Sequence, residues 1–311
     1  MAYNEKYELI PIGFDNMGAT CYFNAVLQSM LSCTSFVQEM LSYKDDGNPV
    51  MQKIAKLITC AAGNEAGFGD GFEDSFEDCS SYSIAIWKSM ISFLCKKNNI
   101  TKRDFMAGQQ CAREGFHCLM DAMESYNNIQ NLFLHRYSNM IRCGECNKWV
   151  SNVDSMNNLF TVHPELKAEQ LEQFKKFDSD EVDMAQFLSK QTGYVESFTC
   201  PKCKSNEPKY NVNCLVMVPE ILVVLSKKYK AGQKLDLYTN FPKTLVFKGT
   251  NNTKLIYNAV SQIEHSGGLN GGHYWAISKR AGGWYQLNDN HVSKAEFNPT
   301  KDTYMVFYHL M

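Results

Sequence analysis

The chain has 311 residues, a formal net charge of −2 and 44% hydrophobic residues, enough apolar material for one large core or two smaller ones. The near-neutral charge, with no block of basic residues, argues against a nucleic-acid-binding surface. No apolar run approaches the roughly 20 residues that a membrane span needs, and Met1 to Glu8 lack the apolar core of a signal peptide. We therefore expect a soluble intracellular protein, cytoplasmic and/or nuclear, that binds neither nucleic acid nor membranes. We also expect it to be a monomer.

Helical periodicity dominates the first part of the chain. An apolar stripe at helical spacing predicts a helix that begins near Cys21, and similar patterns predict helices over residues 50–62, 83–97 and 109–126. The stretch from Gly63 to Ser83 is rich in Gly, Ser and acidic residues and has no basic residue. This composition indicates a solvated loop, and the alternative is a contact for a basic partner surface.

Short strand-like runs replace the helices from about residue 137 onward, interrupted by one helical insert predicted over residues 166–190. The predicted strands are Trp149–Val153, Leu159–Val162, Cys214–Val218, Ile221–Ser226, Leu245–Phe247, Leu255–Ile263, His273–Ser278, Trp284–Leu287 and Tyr304–His309. A helical region followed by a strand-rich region is typical of an α+β fold.

A thiol lies at the predicted start of the first helix. Unpaired backbone N–H groups and the helix dipole at such a position favour a thiolate, and the same N–H groups can donate to an oxyanion. Asn16 lies shortly before Cys21, and its side-chain amide is a further candidate donor. Cys21 is therefore a candidate nucleophile, although a cysteine at a helix start, taken alone, is more often a buried and unreactive thiol.

A glycine-rich loop leads into a predicted strand that opens with His273. Gly271 and Gly272 would let a substrate backbone approach the imidazole closely. Asn288 and Asp289 directly follow the next predicted strand, where an amide or a carboxylate can fix the tautomer and angle of an imidazole. A cysteine early in the chain, with a histidine and an asparagine late in the chain, is typical of papain-like catalysis.

Four of the 12 cysteines form two Cys-x-x-Cys pairs, Cys143/Cys146 and Cys200/Cys203. Each pair closes a tight turn with both sulfurs on one side, and two such turns complete a tetrahedral Zn²⁺ site. Because protein ligands would fill all four positions, we expect a structural zinc. The alternatives are a site that has lost its metal and a redox-active pair, which lacks the thioredoxin-like βαβ pattern. We expect free thiols elsewhere, most of them small buried hydrophobes.

These motifs together resemble the signatures of the ubiquitin-specific proteases over nearly the whole chain. Residues 13–24 resemble the family's Gly-Leu-x-Asn-x-Gly-Asn-Thr-Cys-Tyr-x-Asn box, with Phe14 and Ala19 as departures. The segment around His273 resembles the Gly-His-Tyr box, and residues 287–289 are similar to the Phe-Asn-Asp ending. The combination is specific to the family, although any one box would not be.

The resemblance implies a papain-like α+β fold with one catalytic domain over residues 1–311. Within it, a largely helical thumb would cover residues 13–130, zinc-bearing β fingers residues 137–215, and a β palm residues 216–311. The implied activity is hydrolysis of the peptide or isopeptide bond after the C-terminal glycine of ubiquitin, through a cysteine acyl-enzyme. The implied partners are ubiquitin and ubiquitinated proteins.

The resemblance also implies a role for each catalytic candidate. Cys21 would attack the substrate carbonyl, and His273 would take the thiol proton and later donate it to the leaving amine. Asn288 would orient the imidazole, and Asn16 would donate to the oxyanion together with the backbone N–H of Cys21. Asp289 would share the orienting role or bind a water.

Substrate binding is implied for Glu114, Gly271, Gly272 and Tyr274, with the two glycines lining a narrow tunnel for a Gly-Gly tail. Residues 109–114 resemble a Gln-Gln-Asp-Ala-His-Glu box whose acids bind arginines of the ubiquitin tail in the family.

Two residues of that box depart from the pattern, since Cys111 replaces an acid and Arg113 replaces a histidine. These departures leave a protease for a ubiquitin-like modifier such as SUMO as one alternative. A catalytically inactive ubiquitin-binding scaffold is the other, against which the presence of all the catalytic residue types argues.

Overall fold

The computed structural model describes most of the chain. The described residues are 3–62, 76–105, 111–162, 181–183, 193–195, 199–206, 209–230, 233–234, 238–248, 254–268 and 271–311. The predicted features at residues 63–75, at residues 109–110 and over most of the insert at 166–190 lie outside them. No helix within the described ranges is long and apolar enough to cross a membrane.

Seven α-helices occupy the first part of the described chain. They are α1 (Cys21–Met30), α2 (Thr34–Met40), α3 (Pro49–Ala61), α4 (Phe76–Asn98), α5 (Lys102–Phe105), α6 (Ala112–Ala122) and α7 (Asn127–Phe133), with short 3₁₀ segments at Glu5–Tyr7 and Leu41–Tyr43. Helix α1 begins at Cys21, near the predicted start, and every residue of it is buried. Such burial on all sides marks α1 as the central helix of the core.

The acidic stretch before α4 differs from its prediction. Helix α4 already begins at Phe76, so the loop predicted up to Ser83 is wrong for residues 76–83. Acidic residues are favourable in the first turn of a helix because they complement the positive end of its dipole. The composition that suggested a solvated loop is therefore equally compatible with a helix start.

Fifteen strands follow among the described residues. They are β1 (His135–Cys143), β2 (Trp149–Asn157), β3 (Phe160–Val162), β4 (Glu181–Asp183), β5 (Gly193–Val195), β6 (Lys209–Met217), β7 (Ile221–Ser226), β8 (Tyr229–Lys230), β9 (Gln233–Lys234), β10 (Thr244–Lys248), β11 (Lys254–Gly268), β12 (Gly271–Arg280), β13 (Gly283–Asn288), β14 (His291–Lys294) and β15 (Thr303–Leu310). A smaller antiparallel sheet has the order β2-β1-β6-β5, and β8 and β9 form a separate ribbon.

The larger sheet has the order β14-β13-β12-β11-β15-β7-β3, with β10 joining β11 and β4. Strand β4 runs parallel to β10, with Val182 opposite Leu245, so the helix predicted over residues 166–190 is wrong at 181–183. Pairing with β10 satisfies this backbone, and such tertiary context overrides local pattern. Strands β3 and β4 also lie within the 137–215 segment predicted as fingers, yet both belong to the larger sheet.

Strand β7 separates two apolar cores, and all six of its residues are buried. Ile221, Val223 and Leu225 pack into the core that contains the helices, whereas Leu222 and Val224 pack into a second cluster on the other face. Helix α1 lies in the first core against β11, β12 and β13. This packing brings the start of α1 to the strands that carry His273 and Asn288.

One pair of cysteines differs from the expectation of free thiols. Cys60, in the last turn of α3, and Cys79, near the start of α4, form a disulfide with a Cα–Cα distance of 6.1 Å. Cys33 and Cys95 are buried free thiols, as expected for small hydrophobic side chains.

Candidate active site

The thiol of Cys21 lies at the first residue of α1 and is 8% exposed. Burial raises the pKa of this thiol above its ordinary value. Main-chain N–H groups of Tyr274, Tyr22 and Cys21 itself act to lower the pKa, and the negative charge of Asp289 acts to raise it. The N–H groups expected at a helix start therefore do favour the thiolate, but burial raises the pKa of the thiol by more than they lower it. A thiol with a raised pKa needs a base to form the thiolate at neutral pH.

Strand β12 carries the candidate base to this thiol. The N–H of Tyr274 lies close enough to the Cys21 sulfur to act on its pKa, and His273 is the preceding residue. The His273 side chain is 41% exposed and therefore reachable from solvent. The ring of Trp275, on the same face of the strand, stacks near the imidazole with centroids 6.1 Å apart and planes 22° apart.

The imidazole of His273 has a defined partner in Asn288. Nε2 of His273 lies 2.5 Å from Oδ1 of Asn288, which ends the neighbouring strand β13. Because an amide oxygen can only accept, Nε2 is the donor in this pair. The tautomer that follows leaves Nδ1 without a proton and able to take one from a thiol.

Asp289 serves a different partner. Its Oδ2 lies 3.9 Å from Nε2 of His273, beyond hydrogen-bond distance. The same carboxylate accepts hydrogen bonds from Nδ2 of Asn16 and from Nδ2 of Asn24, both at 2.8 Å. The sequence left two roles open for Asp289, orienting the imidazole or binding a water. This contact pattern does not support the first role. Asp289 instead holds two side-chain amides.

Both ends of the Asn16 amide are fixed. Oδ1 accepts from the N–H groups of Gly18 at 2.8 Å and Thr20 at 3.1 Å, and from the Thr20 hydroxyl at 3.1 Å. Nδ2 donates one hydrogen to Asp289, which leaves its second hydrogen able to donate to another acceptor. The N–H of Phe14 donates to the carbonyl of Asp289 at 2.8 Å, so the loop before α1 is docked on the turn after β13.

Sequence reasoning assigned no role to Asn24. Its side chain is 3% exposed and donates to Asp289 and to the carbonyl of Asp15. Asn24 ends the string that resembles the family box, and its spacing places it on the Cys21 face of a helix. Helical spacing in α1 was therefore a signal that could have found it.

The predicted substrate-binding residue Glu114 is engaged within α6. Its carboxylate accepts from the N–H of Cys111 at 2.9 Å, in a capping box at the start of the helix. The Tyr304 hydroxyl lies 3.8 Å from the Cys111 sulfur. Arg113 is exposed and has no ion-pair partner among the described residues. The altered box thus offers one exposed cation beside a carboxylate that caps its own helix.

The glycines before His273 differ from each other. A side chain at Gly272 would collide with the His265 ring and lie 2.7 Å from the Ser266 carbonyl, whereas Gly271 has open space around it. The close approach of β11 therefore requires glycine at 272. The Tyr274 residue is 6% exposed and its ring lies 4.3 Å from the ring of His265, so the ring has little surface available to a substrate.

The four cysteines of the Cys-x-x-Cys pairs converge at one end of the smaller sheet. Their sulfur atoms all lie within 4.8 Å of one another, with Cys143 and Cys203 at 3.6 Å and Cys146 and Cys200 at 3.8 Å. A tetrahedron of sulfurs about 2.3 Å from Zn²⁺ has edges of about 3.8 Å. The arrangement therefore fits a four-coordinate metal ion.

The Cys21 sulfur lies near the N–H of Tyr274, and the preceding residue carries an imidazole that an amide holds. This arrangement fits the constellation of a cysteine hydrolase. The family model described as ubiquitin carboxyl-terminal hydrolase matches residues 12–308, and the chain belongs to this family. Membership confirms the predicted class of enzyme, a cysteine-type deubiquitinase, and the resemblance from which it was predicted.

Two relatives cover very different lengths. The chain is 23% identical to ubiquitin carboxyl-terminal hydrolase 26 of Arabidopsis thaliana over 95% of its own residues, but it spans only 27% of that protein. It is 22% identical to ubiquitin carboxyl-terminal hydrolase 12 of Salmo salar, over 97% of this chain and 85% of that protein.

Solved structures share the fold. A chain of the SAGA DUB module of Ubp8, Sgf11, Sus1 and Sgf73 bound to monoubiquitin matches with a TM-score of 0.72 and 18% identity, over all of this chain and 71% of that chain. The same module bound to ubiquitin aldehyde gives 0.71 and 18%, over 100% and 72%. A yeast module with an Sgf73 variant gives 0.69 and 18%, over 100% and 71%. These matches confirm the predicted α+β fold class.

Proposed function

We propose that this chain hydrolyses the peptide or isopeptide bond after the C-terminal glycine of ubiquitin through an acyl-enzyme on Cys21. The contact that carries the proposal is the 2.5 Å approach of His273 to Asn288, on the strands against which the start of α1 packs. It leaves the imidazole with a free nitrogen, as a general base requires. Family membership supports ubiquitin as the substrate.

In the proposed mechanism, Nδ1 of His273 takes the proton of Cys21 and the thiolate attacks the glycine carbonyl. The backbone N–H of Cys21 and the free hydrogen of the Asn16 amide donate to the oxyanion, and one such donor is worth about 3–4 kcal/mol in the transition state. His273 then protonates the leaving amine and later activates a water that releases the acyl group. The Asn288 oxygen holds the imidazole throughout.

We propose that the metal at Cys143, Cys146, Cys200 and Cys203 is zinc and that its role is structural. Four thiolates satisfy Zn²⁺ completely and leave no position for substrate. When bound, the ion would join the two turns that end β1 and precede β6. The catalytic groups lie on other elements, so no chemical step involves it.

We also propose that the chain acts as a monomer in the cytoplasm or nucleus. The solved neighbours are subunits of an assembly with Sgf11, Sus1 and Sgf73, so a monomeric state needs its own test. Light scattering of the purified chain at micromolar concentration should give a mass near 35.5 kDa.

A protease for another ubiquitin-like modifier is the second candidate function. The observation that favours it is the exposed Arg113 at the start of α6, where a basic ubiquitin tail would meet a positive charge. Glu114 lies in the same turn of α6 as Arg113. Its negative charge adds to the effect of burial in raising the pKa of Tyr22, the residue after Cys21. The α6 start is therefore close to the path of a tail that reaches Cys21.

The two candidates are tested with C-terminal amide reporters of ubiquitin and of SUMO. The proposal predicts turnover of the ubiquitin reporter, loss of that turnover in Cys21→Ala, and a much lower kcat/KM for the SUMO reporter. Turnover of the SUMO reporter alone would assign the second candidate. Residual turnover in Cys21→Ala would remove Cys21 as the nucleophile.

A further inference from the structure

A charged side chain is buried at the far end of the strand that carries His273. Arg280 ends β12 and is 1% exposed. Burial lowers the pKa of its guanidinium to about 10, so it remains charged at neutral pH. Among the described residues no carboxylate forms an ion pair with it. The negative charge of Glu8 acts on Arg280 without direct contact. A buried cation without a direct ion-pair partner is costly, and hydrogen bonds to neutral acceptors have to compensate it.

The acceptors come mainly from the C-terminal end of α1. Nη2 of Arg280 donates to the main-chain carbonyl of Gln28 at 2.8 Å and to its side-chain oxygen at 2.6 Å. Nη1 donates to the Ser32 hydroxyl at 2.5 Å and to the carbonyl of Lys279 at 2.9 Å. A cation is favourable at the negative end of a helix dipole. Arg280 thus ties the end of α1 to the end of β12.

Gln28 extends this connection to the catalytic loop. Its Nε2 donates to the carbonyl of Ile12 at 2.8 Å, directly before the segment that carries Asn16. The side chain of Gln28 therefore accepts from β12 with one atom and donates to the chain before α1 with another.

A second buried link ties the same last turn of α1 to the sheet. The Ser261 hydroxyl on β11 lies 2.8 Å from that of Ser29 on α1 and 2.6 Å from that of Ser278 on β12. Because all three hydroxyls are buried, these contacts have no competition from water. Two consecutive residues in the last turn of α1, Gln28 and Ser29, are therefore both held to the sheet, while Cys21 and His273 lie at the opposite ends of the same two elements.

We infer that the Arg280–Gln28–Ile12 network is a positioning device that sets α1, and with it Cys21 and the Asn16 loop, against His273 on β12. The inference rests on the proposed function, since it assigns the alignment to those residues. Arg280 touches neither substrate nor the reacting atoms. It instead fixes α1, the helix that carries Cys21. This role explains why polar contacts with defined geometry occupy a site that apolar side chains could fill.

The test uses Arg280→Met, which keeps the length and removes the donors, together with Arg280→Lys and Gln28→Glu. Gln28→Glu retains an acceptor for Arg280 and loses the donor to Ile12. Lys279→Met is the matched control, because the Lys279 side chain pairs with Glu8 at 2.8 Å and only its main-chain carbonyl, which the substitution keeps, accepts from Arg280.

Two readouts are measured below the melting temperature of each variant: kcat and KM on the ubiquitin reporter, and the rate at which iodoacetamide alkylates Cys21. The network predicts that kcat falls at least tenfold in Arg280→Met and Gln28→Glu, with KM changed less than twofold and partial rescue in Arg280→Lys. Alkylation should speed up, because a loosened α1 exposes the thiol. Lys279→Met should change neither.

Unchanged kcat and alkylation in a folded Arg280→Met would reduce the network to a contribution to stability and overturn the inference. If Arg280→Met does not fold, Gln28→Glu and Arg280→Lys decide by the same criteria. If the wild-type chain does not turn over the reporter, the proposed function fails. The alkylation rates then still decide whether the network positions Cys21.

Discussion

The carboxylate of Asp289 accepts a hydrogen bond from the side-chain amide of Asn16 at 2.8 Å. The residue before it, Asn288, contacts the imidazole of His273 at 2.5 Å. Two consecutive residues at the end of β13 therefore support two different parts of the site. Asn288 contacts the proposed base, and Asp289 holds the amide proposed to donate to the oxyanion.

This division predicts a specific pattern in a double-mutant cycle. Asn16→Ala should lower kcat by about 10²–10³-fold with little change in KM, as for the loss of one oxyanion donor. Asp289→Ala should lower kcat comparably, and it should add little in the Asn16→Ala background because it acts through the same amide. Asn288→Ala should remain fully additive with Asn16→Ala. Additive effects of Asp289→Ala and Asn16→Ala would contradict the assignment.

The raised pKa of Cys21 predicts the pH dependence of its alkylation. Since iodoacetamide reacts with the thiolate, the rate in the free enzyme should rise through a pKa above that of an ordinary thiol. Asp289 contributes a negative charge that raises this pKa, so Asp289→Asn should move the inflection to lower pH and increase the rate at neutral pH. A shift of the inflection to higher pH in this variant would contradict the effect assigned to the Asp289 charge.

Much of the candidate site could be predicted from the sequence, because these residue types have the same chemistry in any fold. A thiol at a helix start, a histidine after glycines and an amide on the next strand could be recognised from the sequence. The contacts of Asp289 could not, because they join the turn after β13 to a loop and a helix near the other end of the chain. Only the packing of α1 on the sheet brings these segments together.

Prediction of the fold from sequence was limited in the same way, by contacts that only tertiary packing creates. Strand β7 was predicted with its observed bounds, since a continuous apolar run indicates a strand buried on both faces. Strand β4 was not, because its three residues form a strand only through pairing with β10. Burial of Cys21 likewise depends on tertiary packing, so the local preference for a thiolate at a helix start could not reveal a raised pKa.

Metal analysis of the purified chain should give one zinc per molecule. Cys200→Ser should abolish this stoichiometry, whereas Cys118→Ser, which removes a free thiol outside the cluster, should leave it intact. Because a bound ion would join the turns at β1 and β6, a chelator should increase hydrogen exchange in these strands while α1 stays protected. Full zinc content in Cys200→Ser would contradict the four-cysteine site.

The altered α6 box predicts a gain of function. Cys111→Asp combined with Arg113→His should lower KM for the ubiquitin reporter about tenfold, or about 1.4 kcal/mol, because a carboxylate replaces a thiol and a cation is removed near a basic tail. Asp is a favourable N-cap residue, so α6 should tolerate the change. Arg136→His makes the same type of substitution at an exposed position on β1 and serves as the matched control. An unchanged KM would remove this box from the tail-binding path.

The central claim is tested most directly by incubating the native chain with ubiquitin that carries a C-terminal electrophile. The account predicts that intact mass rises by one ubiquitin, that peptide mapping places the adduct on Cys21, and that Cys21→Ala is not labelled. An adduct on another cysteine, or a folded chain that stays unlabelled, would contradict it.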